Sequence, residues 1–240
     1  MPASFVTLAN RGLVTIEGIP AHDFLQNIIS NDVDLLNTHQ NIHACLLTPQ
    51  GKFLHDFYVT KTDTGYALDC EGGERTQDLT RRLMIYKLHT PITIKAQQDV
   101  TIYANNLSRM TNKPDGEEIS FEDWDMNRIK KSIPDGSRDA EIGVSTLAEL
   151  NLDQEAVSYT KGCYVGQELV ARMHNRNLGK KHLVAARFKS TPPNAGTVIE
   201  NTGLMRSSRA NIGLILMNRD REAELRETQT NDSQIYLLGL

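Results

Sequence analysis

The apolar positions along the chain change period several times, and each change marks an element. "GLVTIEG" (12–18) alternates over a strand-length run. "IPAHDFLQNIIS" (19–30) changes to helical spacing, with Pro20 at its start and Phe24, Leu25, Ile28 and Ile29 on one face. "IHACLLT" and "FLHDFYVT" are apolar runs either side of the turn signal "PQGK", which predicts a hairpin. "GYALDC" reads as a further strand, and "ERTQDLTRRLMIYKL" as a helix with Leu79, Leu83 and Tyr86 on a common face. "PITIKA" and "DVTIYAN" read as two strands. This β-α-β-β-β-α-β order predicts an α+β sheet with helices packed on one face, related to the split βαβ family.

Beyond it the pattern weakens. The stretch from Asn105 to Gly116 is polar and reads as loop. "EDWDMNRIKKS" reads as a short helix closed by "IPDG", and "STLAEL" as another with Ser145 as its N-cap. After Lys180, "HLVAARF", "GTVIE", "ANIGLILMN" and "QIYLLGL" read as strands of a small β-barrel or sandwich, with "NRDREAELRETQTND" as a charged connection. The expected division is an N-terminal α+β subdomain at 1–104, a middle segment at 105–180 and a C-terminal barrel-like subdomain at 181–240.

Composition narrows the class. Apolar residues are 39% and charged residues 23%, ordinary for a folded domain of 240 residues. The net charge of −4 gives no general attraction to nucleic acid, and no RNA-binding motif is present. "MPASFVTLAN" has neither the basic start nor the apolar core of a leader, and no apolar run reaches membrane-spanning length. A cytoplasmic protein is expected, or a mature form that has lost a leader. Three cysteines, Cys45, Cys70 and Cys163, without a C-x-x-C pair argue against a disulfide framework or a cysteine-built zinc site.

The candidate chemistry gathers in "KGCYVGQELVAR" (161–172). Gly162 lets the backbone turn sharply beside Cys163. The periodic run Leu169, Val170, Met173 starts just after it, so the thiol lies near a helix N-terminus, whose amide N–H groups favour a thiolate. Lys161 adds positive charge if it folds inward. The other reading is a small buried hydrophobe, which the residues alone leave open for Cys163 and which fits Cys45 and Cys70 inside their strands. Asp56 is the second candidate. Strand alternation sets it with Leu54 and Tyr58, and a carboxylate in an apolar strand needs a partner, a role, or an edge position facing water. His39 and His43 have a metal-ligand spacing, but they read as part of a polar connection with no third ligand nearby. Arg172, Arg176, Lys180, Lys181, Arg187 and Lys189 form a basic stretch, more simply read as a solvated face than as a polyanion site.

Lys161, Gly162, Cys163, Tyr164, Gly166, Gln167, Glu168 and Arg172 resemble the K-G-C-Y-x-G-Q-E signature and following arginine of the YgfZ family, relatives of the glycine-cleavage T protein. "FLQNIISNDV" resembles that family's first helix and its Ser/Thr-Asn-Asp end, "LLTPQGKFLHDFYV" its hairpin, "DCEGGERTQDLTRRLMIYKL" the helix after it, and "RIKKSIPDG" a later segment. The resemblance implies a T-protein-like α+β fold of three subdomains in a ring, ending in a small β-barrel. It implies an accessory role in iron–sulfur cluster assembly or repair, reaching cluster enzymes that modify tRNA. Cys163 would be the working thiol, as a transient cluster ligand or a redox group. Tyr164, Gln167 and Glu168 would shape its surroundings, and carrier or client proteins would be the partners, without membrane or stable nucleic acid. The compartment would be the mitochondrial matrix for a mature eukaryotic form. T proteins are tetrahydrofolate-dependent aminomethyltransferases with a catalytic aspartate at the position of Asp56. This gives an alternative reading as a one-carbon transferase, with Asn31, Asp56, Tyr58 and Arg172 as folate contacts. The carboxylate-bearing segment that recognises the pterin in T proteins has no counterpart here, only a faint echo in "KPDGEE". The family's D-P-R segment is absent, and Lys130 stands where many relatives carry glutamate. Weak folate binding is therefore expected.

Overall fold

The computed structural model describes residues 4–105, 108–176, 178–230 and 232–239. They form two compact units, Met1–Phe121 with Glu155–Glu168, and Glu122–Gln154 with Leu169–Leu240. Residues 105–180, set apart in the sequence as a middle segment, are thus shared between the two units.

In the first unit, β1 (Ser4–Glu17) is followed by α1 (Ala21–Ile28), β2 (Asn41–Leu47), β3 (Phe53–Thr62), β4 (Gly65–Glu71) and α2 (Glu74–Lys87), then by β5 (Thr93–Asn105), β6 (Ser108–Met110) and β7 (Glu117–Glu118). The sheet runs β2-β3-β4-β1-β5-β6, with β7 pairing parallel to β1. The hairpin predicted around "PQGK" is the antiparallel β2–β3 pair, which sets Cys45 opposite Asp56. Alternation decides the faces. Val14, Ile16, Phe57, Val59, Leu68 and Cys70 point to the helices, where Phe24, Leu25 and Ile28 of α1 and Leu79 and Leu83 of α2 complete the core. Each such side chain, fully buried, contributes about 1.5–3 kcal/mol. Gly12 lets α2 lie close to the sheet, because a Cβ there would fall 1.9 Å from the Thr76 hydroxyl. The outer edge of β2 is closed by the residues after α1. Ile29 bridges to Leu46, the Ser30 N–H donates to the Cys45 carbonyl at 2.9 Å, and the Cys45 N–H donates to Ser30 Oγ at 2.8 Å.

His55 shares the helix-facing side with Phe53 and Phe57. It is 2% exposed, with Nε2 2.8 Å from Asp78 of α2. Burial, assisted by the charge of Arg75, lowers its pKa to about 4. The unfolded chain takes up this proton near pH 6.5 and the folded one only near 4, so the group's stabilisation is complete above 6.5 and lost as pH falls between those values. Chemical denaturation should show the wild type losing about 3 kcal/mol more than His55→Gln between pH 7 and pH 4. Equal losses would mean that His55 is free to protonate in place.

The second unit contains most of α3 (Phe121–Lys130) and of α4 (Gln167–Arg176), with β8 (Lys181–Phe188), β9 (Val198–Ile199), β10 (Gly203–Arg209), β11 (Ile212–Asn218), α5 (Arg219–Thr228) and β12 (Ile235–Leu237). Its sheet is antiparallel in the order β12-β8-β11-β10-β9, over a core of Val184, Phe188, Met205, Ile215 and Met217. A buried ionic cluster lies within this unit. Asp125, wholly buried, accepts from Arg128 Nε at 2.7 Å, from Arg138 at 3.1 Å and from Arg209 at 2.8 Å. Asp139, also wholly buried, accepts from Arg128 at 2.7 Å and from the Ser207 hydroxyl at 2.6 Å.

The structure differs from the sequence reading in several elements. "PITIKA" and "DVTIYAN" are one strand, β5. Asp99, with φ of 55°, breaks the alternation without ending the ladder. The polar stretch after Asn105 contains β6, although Asn106 and Leu107 lie outside the described residues. "STLAEL" is a series of turns. Its local cap is Thr146, whose hydroxyl accepts from the Glu149 N–H while the Glu149 carboxylate accepts from the Thr146 N–H; Ser145 Oγ accepts from Glu141. The charged connection after Asn218 is α5, capped by the Asn218 side chain. β10 had no separate signal.

Candidate functional site

The motif loop is built onto the first unit from three directions. The Ser158 N–H donates to the Ser30 carbonyl at 3.0 Å, Ser30 Oγ donates to the Ala156 carbonyl at 2.5 Å, and Asn31 Nδ2 donates to the Glu155 carbonyl at 3.0 Å. Lys161 turns inward. Its ammonium donates to the carbonyls of Ile29 and Asn31, both at 2.9 Å, and lies 5.1 Å over the Tyr164 ring. Burial lowers its pKa to about 8 against the opposing charge of Asp32. The far end of the loop is held by Gly166, at φ +82°. A Cβ there would sit 2.5 Å from the Thr48 carbonyl oxygen and 2.9 Å from the Gly51 Cα, so only glycine lets the loop rest on the "TPQG" turn. Tyr164 is buried and Val165 packs on the core.

Between these anchors the chain faces outward. Cys163 is exposed, and a Cβ at Gly162 would meet nothing within 4 Å. The thiol stands just ahead of α4, which begins at Gln167, with Glu168 exposed in its first turn. Of the chain's three cysteines it alone is accessible. Cys45 and Cys70 are buried, and burial pushes both thiols up in pKa. The sequence reading placed Lys161 as a charge beside the thiolate; its ammonium is engaged by the two carbonyls.

Asp56 lies on the sheet face opposite the helices. Its Oδ2 is 3.1 Å from His43 Nε2. Burial pushes the carboxyl up in pKa, but the His43 hydrogen bond and the charges of His43 and Arg11 outweigh it, leaving it below its ordinary value. The His43 ring stacks on Tyr58 at 4.4 Å and 1°, and the Arg109 guanidinium lies 4.1 Å over the same ring. One side of a ring cannot hold both at these distances, so they occupy opposite faces. Arg11 donates to Asp69 at 2.7 Å, with Arg109 3.5 Å from the same carboxylate. A cavity of about 530 Å³ opens beside Arg109, Asp69, Thr15 and Thr60. Asn31 connects this row to the thiol loop, because its amide also donates to the His43 carbonyl at 2.8 Å.

The structure thus brings Asn31, Lys161, Tyr164 and Gly166 together around the base of the loop, and sets Asp56 and Tyr58 in one polar row. Arg172 is exposed on the part of α4 that belongs to the second unit, where Arg176, Lys180, Lys181, Arg187 and Lys189 are exposed as well. His43 was read as part of a polar connection; it is in β2. Among the described residues no group of three or more His, Cys, Asp or Glu could hold a metal ion; His43 faces Asp56 and His39 lies against the Leu35 carbonyl. Sequence reasoning missed Asp69, though the rule that singled out Asp56 applies equally inside "GYALDC". Arg109 had no signal in a stretch read as loop.

No family model matches the chain. The fold is that of the T proteins. The crystal structure of the glycine cleavage system aminomethyltransferase T from Bartonella henselae superposes with a TM-score of 0.71 at 13% identity, covering 98% of this chain and 84% of that one. The expected T-protein-like α+β class is therefore the observed one. Among proteins similar in sequence, the chain is 24% identical to the human mitochondrial iron–sulfur cluster assembly factor IBA57, over 88% of this chain and 76% of that protein. It is 23% identical to the mouse protein of the same name, over 95% and 81%. With the IBA57 homolog of Coccidioides immitis it shares 22% identity, and there it spans only 58% of the relative's length. Its homologues are thus named iron–sulfur cluster assembly factors, on a T-protein-like fold.

Proposed function

We propose that this protein is an accessory factor of YgfZ type in iron–sulfur cluster assembly or repair, with Cys163 as its working thiol. The observation that carries the reading is an exposed thiol on a loop anchored at both ends. A thiolate so presented can ligate a cluster transiently together with a partner's ligands, the cluster being cargo, or exchange with a partner's thiol. The names of the relatives support this role. Carrier or client proteins are the partners, cluster enzymes that modify tRNA among the clients. The relatives are mitochondrial, which supports the matrix alternative for a mature eukaryotic form over the cytoplasmic reading. Among the described residues no helix is long and apolar enough to cross a membrane.

Tetrahydrofolate fits the residues poorly. Both faces of the Tyr58 ring are taken by His43 and Arg109, and the Asp56 carboxylate is engaged by His43. The aminomethyltransferase alternative loses support with it. A carboxylate on the pterin's N–H edge is worth roughly 1.5–3 kcal/mol, so its absence should weaken tetrahydrofolate by about one to two orders of magnitude relative to a T protein.

The test introduces the chain into cells lacking their own factor of this type, and titrates the purified protein with tetrahydrofolate calorimetrically. Cluster-enzyme activity should return, titration should show a poor ligand, and an aminomethyl donor should not be turned over. Submicromolar folate binding with donor turnover, and no recovery of cluster enzymes, would replace this reading with the transferase.

A further inference from the structure

We infer that Lys161 is the positioning residue of the thiol loop, acting as a cap for α1 supplied from the distant motif rather than as an electrostatic partner of the thiol. The inference rests on the reading of Cys163 as the working thiol. A helix end leaves its last carbonyls without intrahelical partners, and a cation there is favourable. α1 has no basic residue in its last turn and no glycine at its end; Ile29, its C-cap, is extended at φ −95° and ψ 156°. Lys161 brings a cation to this end of the helix. Its ammonium bonds the carbonyls of Ile29 and Asn31, immediately beyond the helix.

The same bonds fix the loop. With the Lys161 ammonium drawn inward and lying over the Tyr164 ring, Tyr164 is held on the buried side, and the pair of residues between them is turned out. Gly166 lies close to Thr48 and Gly51, so the loop stays seated on the turn at that end. Asn31 is a shared support. Its carbonyl accepts from Lys161 and its side chain binds the Glu155 and His43 carbonyls, so the ammonium attaches to a segment already tied to β2. Released from these carbonyls, the loop keeps its Gly166 anchor but loses the constraint that sets the direction of the Cys163 side chain. A thiol that must meet a partner's ligands in fixed geometry loses that geometry without losing its chemistry.

The experiment compares wild type, Lys161→Met, Lys161→Arg and Cys163→Ser in the full chain. Iodoacetamide labelling across pH reads the thiol pKa, cleanly because Cys45 and Cys70 are buried. Amide hydrogen exchange reads the loop, and recovery of cluster-enzyme activity in factor-deficient cells reads function. Lys161→Met should leave the thiol pKa unchanged, speed exchange across 158–166 by about tenfold or more, and abolish recovery. Lys161→Arg, which keeps charge and donors, should restore both. A raised thiol pKa in Lys161→Met with unchanged exchange would overturn the inference in favour of a direct charge effect. Full recovery by Lys161→Met while Cys163→Ser fails would overturn it as well. Recovery by Cys163→Ser would instead remove the functional reading beneath it. If Lys161→Met does not fold, Lys161→Gln, with a donor on a shorter stem, takes its place. Faster exchange with unchanged thiol pKa then supports the inference, and unchanged exchange overturns it.

Discussion

Cys163→Ser should melt like the wild type and fail completely to restore cluster-enzyme activity. The thiol is exposed, so replacing it with a hydroxyl of similar size buries no new polar group and breaks no packing. What changes is the chemistry. A hydroxyl is a poor ligand for a soft metal centre and cannot enter thiol–disulfide exchange, so both roles open to this residue end together. Cys45→Ser is the contrasting control. Its side chain is wholly buried beside the Ser30 hydroxyl, so exchanging the larger sulfur for a hydroxyl there disturbs packing and should lower the melt. The paired measurement is a melting curve and recovery of cluster-enzyme activity in factor-deficient cells. A lowered melt with retained activity for Cys163→Ser would return this residue to a structural role.

Asp125→Ala should cost the second unit about 3–5 kcal/mol, enough to unfold it under mild conditions. The carboxylate has no exposure and accepts from Arg128, Arg138 and Arg209. Burial alone would raise its pKa, but the hydrogen bond from Arg138, the charge of Arg128 and the hydrogen bond from Arg209 hold it below its ordinary value. Removing it leaves Arg128, itself buried, with Asp139 as its remaining carboxylate. Most of the loss comes from the buried guanidinium of Arg128, left with one carboxylate where it had two, since Arg138 and Arg209 are partly exposed and Arg138 keeps Asp135. Asp125→Asn should be milder, because an amide oxygen still accepts. Chemical denaturation followed by a probe in the second unit measures both. A loss under about 1 kcal/mol for Asp125→Ala would show that water reaches the guanidinium groups and replaces the carboxylate.

How much was legible in the sequence depended on whether an element's cause lies within it. α1 and the β2–β3 hairpin carry their own signals, a one-sided apolar stripe and a turn of fixed chemistry, and both stand as read. α5 has almost no apolar stripe, with Leu225 its main contact to the sheet, so periodicity passed over it. The Asn218 cap and the helical spacing of Arg221 with Glu224 and Glu222 with Arg226 were the available clues. Asp99 sits at a register shift within one strand, where the break in alternation resembles an end. At the site, the motif was readable from its residues through resemblance, and the thiol it contains is exposed where Cys45 and Cys70 are buried. The orientation of Lys161 was not readable. It is set by two carbonyls that no side-chain pattern encodes, on a segment about 130 positions earlier. The Asp56 row was half visible, because a carboxylate in an apolar strand is conspicuous while its His43 and Arg109 neighbours are ordinary polar residues in sequence.

The closed edge of β2 also bears on how the protein behaves at high concentration. An open strand edge is a template on which a second chain can grow a sheet, and folded proteins keep such edges occupied to remain soluble. Here the occupants are Ile29, Ser30 and Asn31, and the last two also carry the motif loop. Colloidal stability and presentation of the thiol therefore share one short support. Damage to it would register as aggregation as readily as inactivity, and a poorly soluble variant at these two positions is not evidence of a misfolded core.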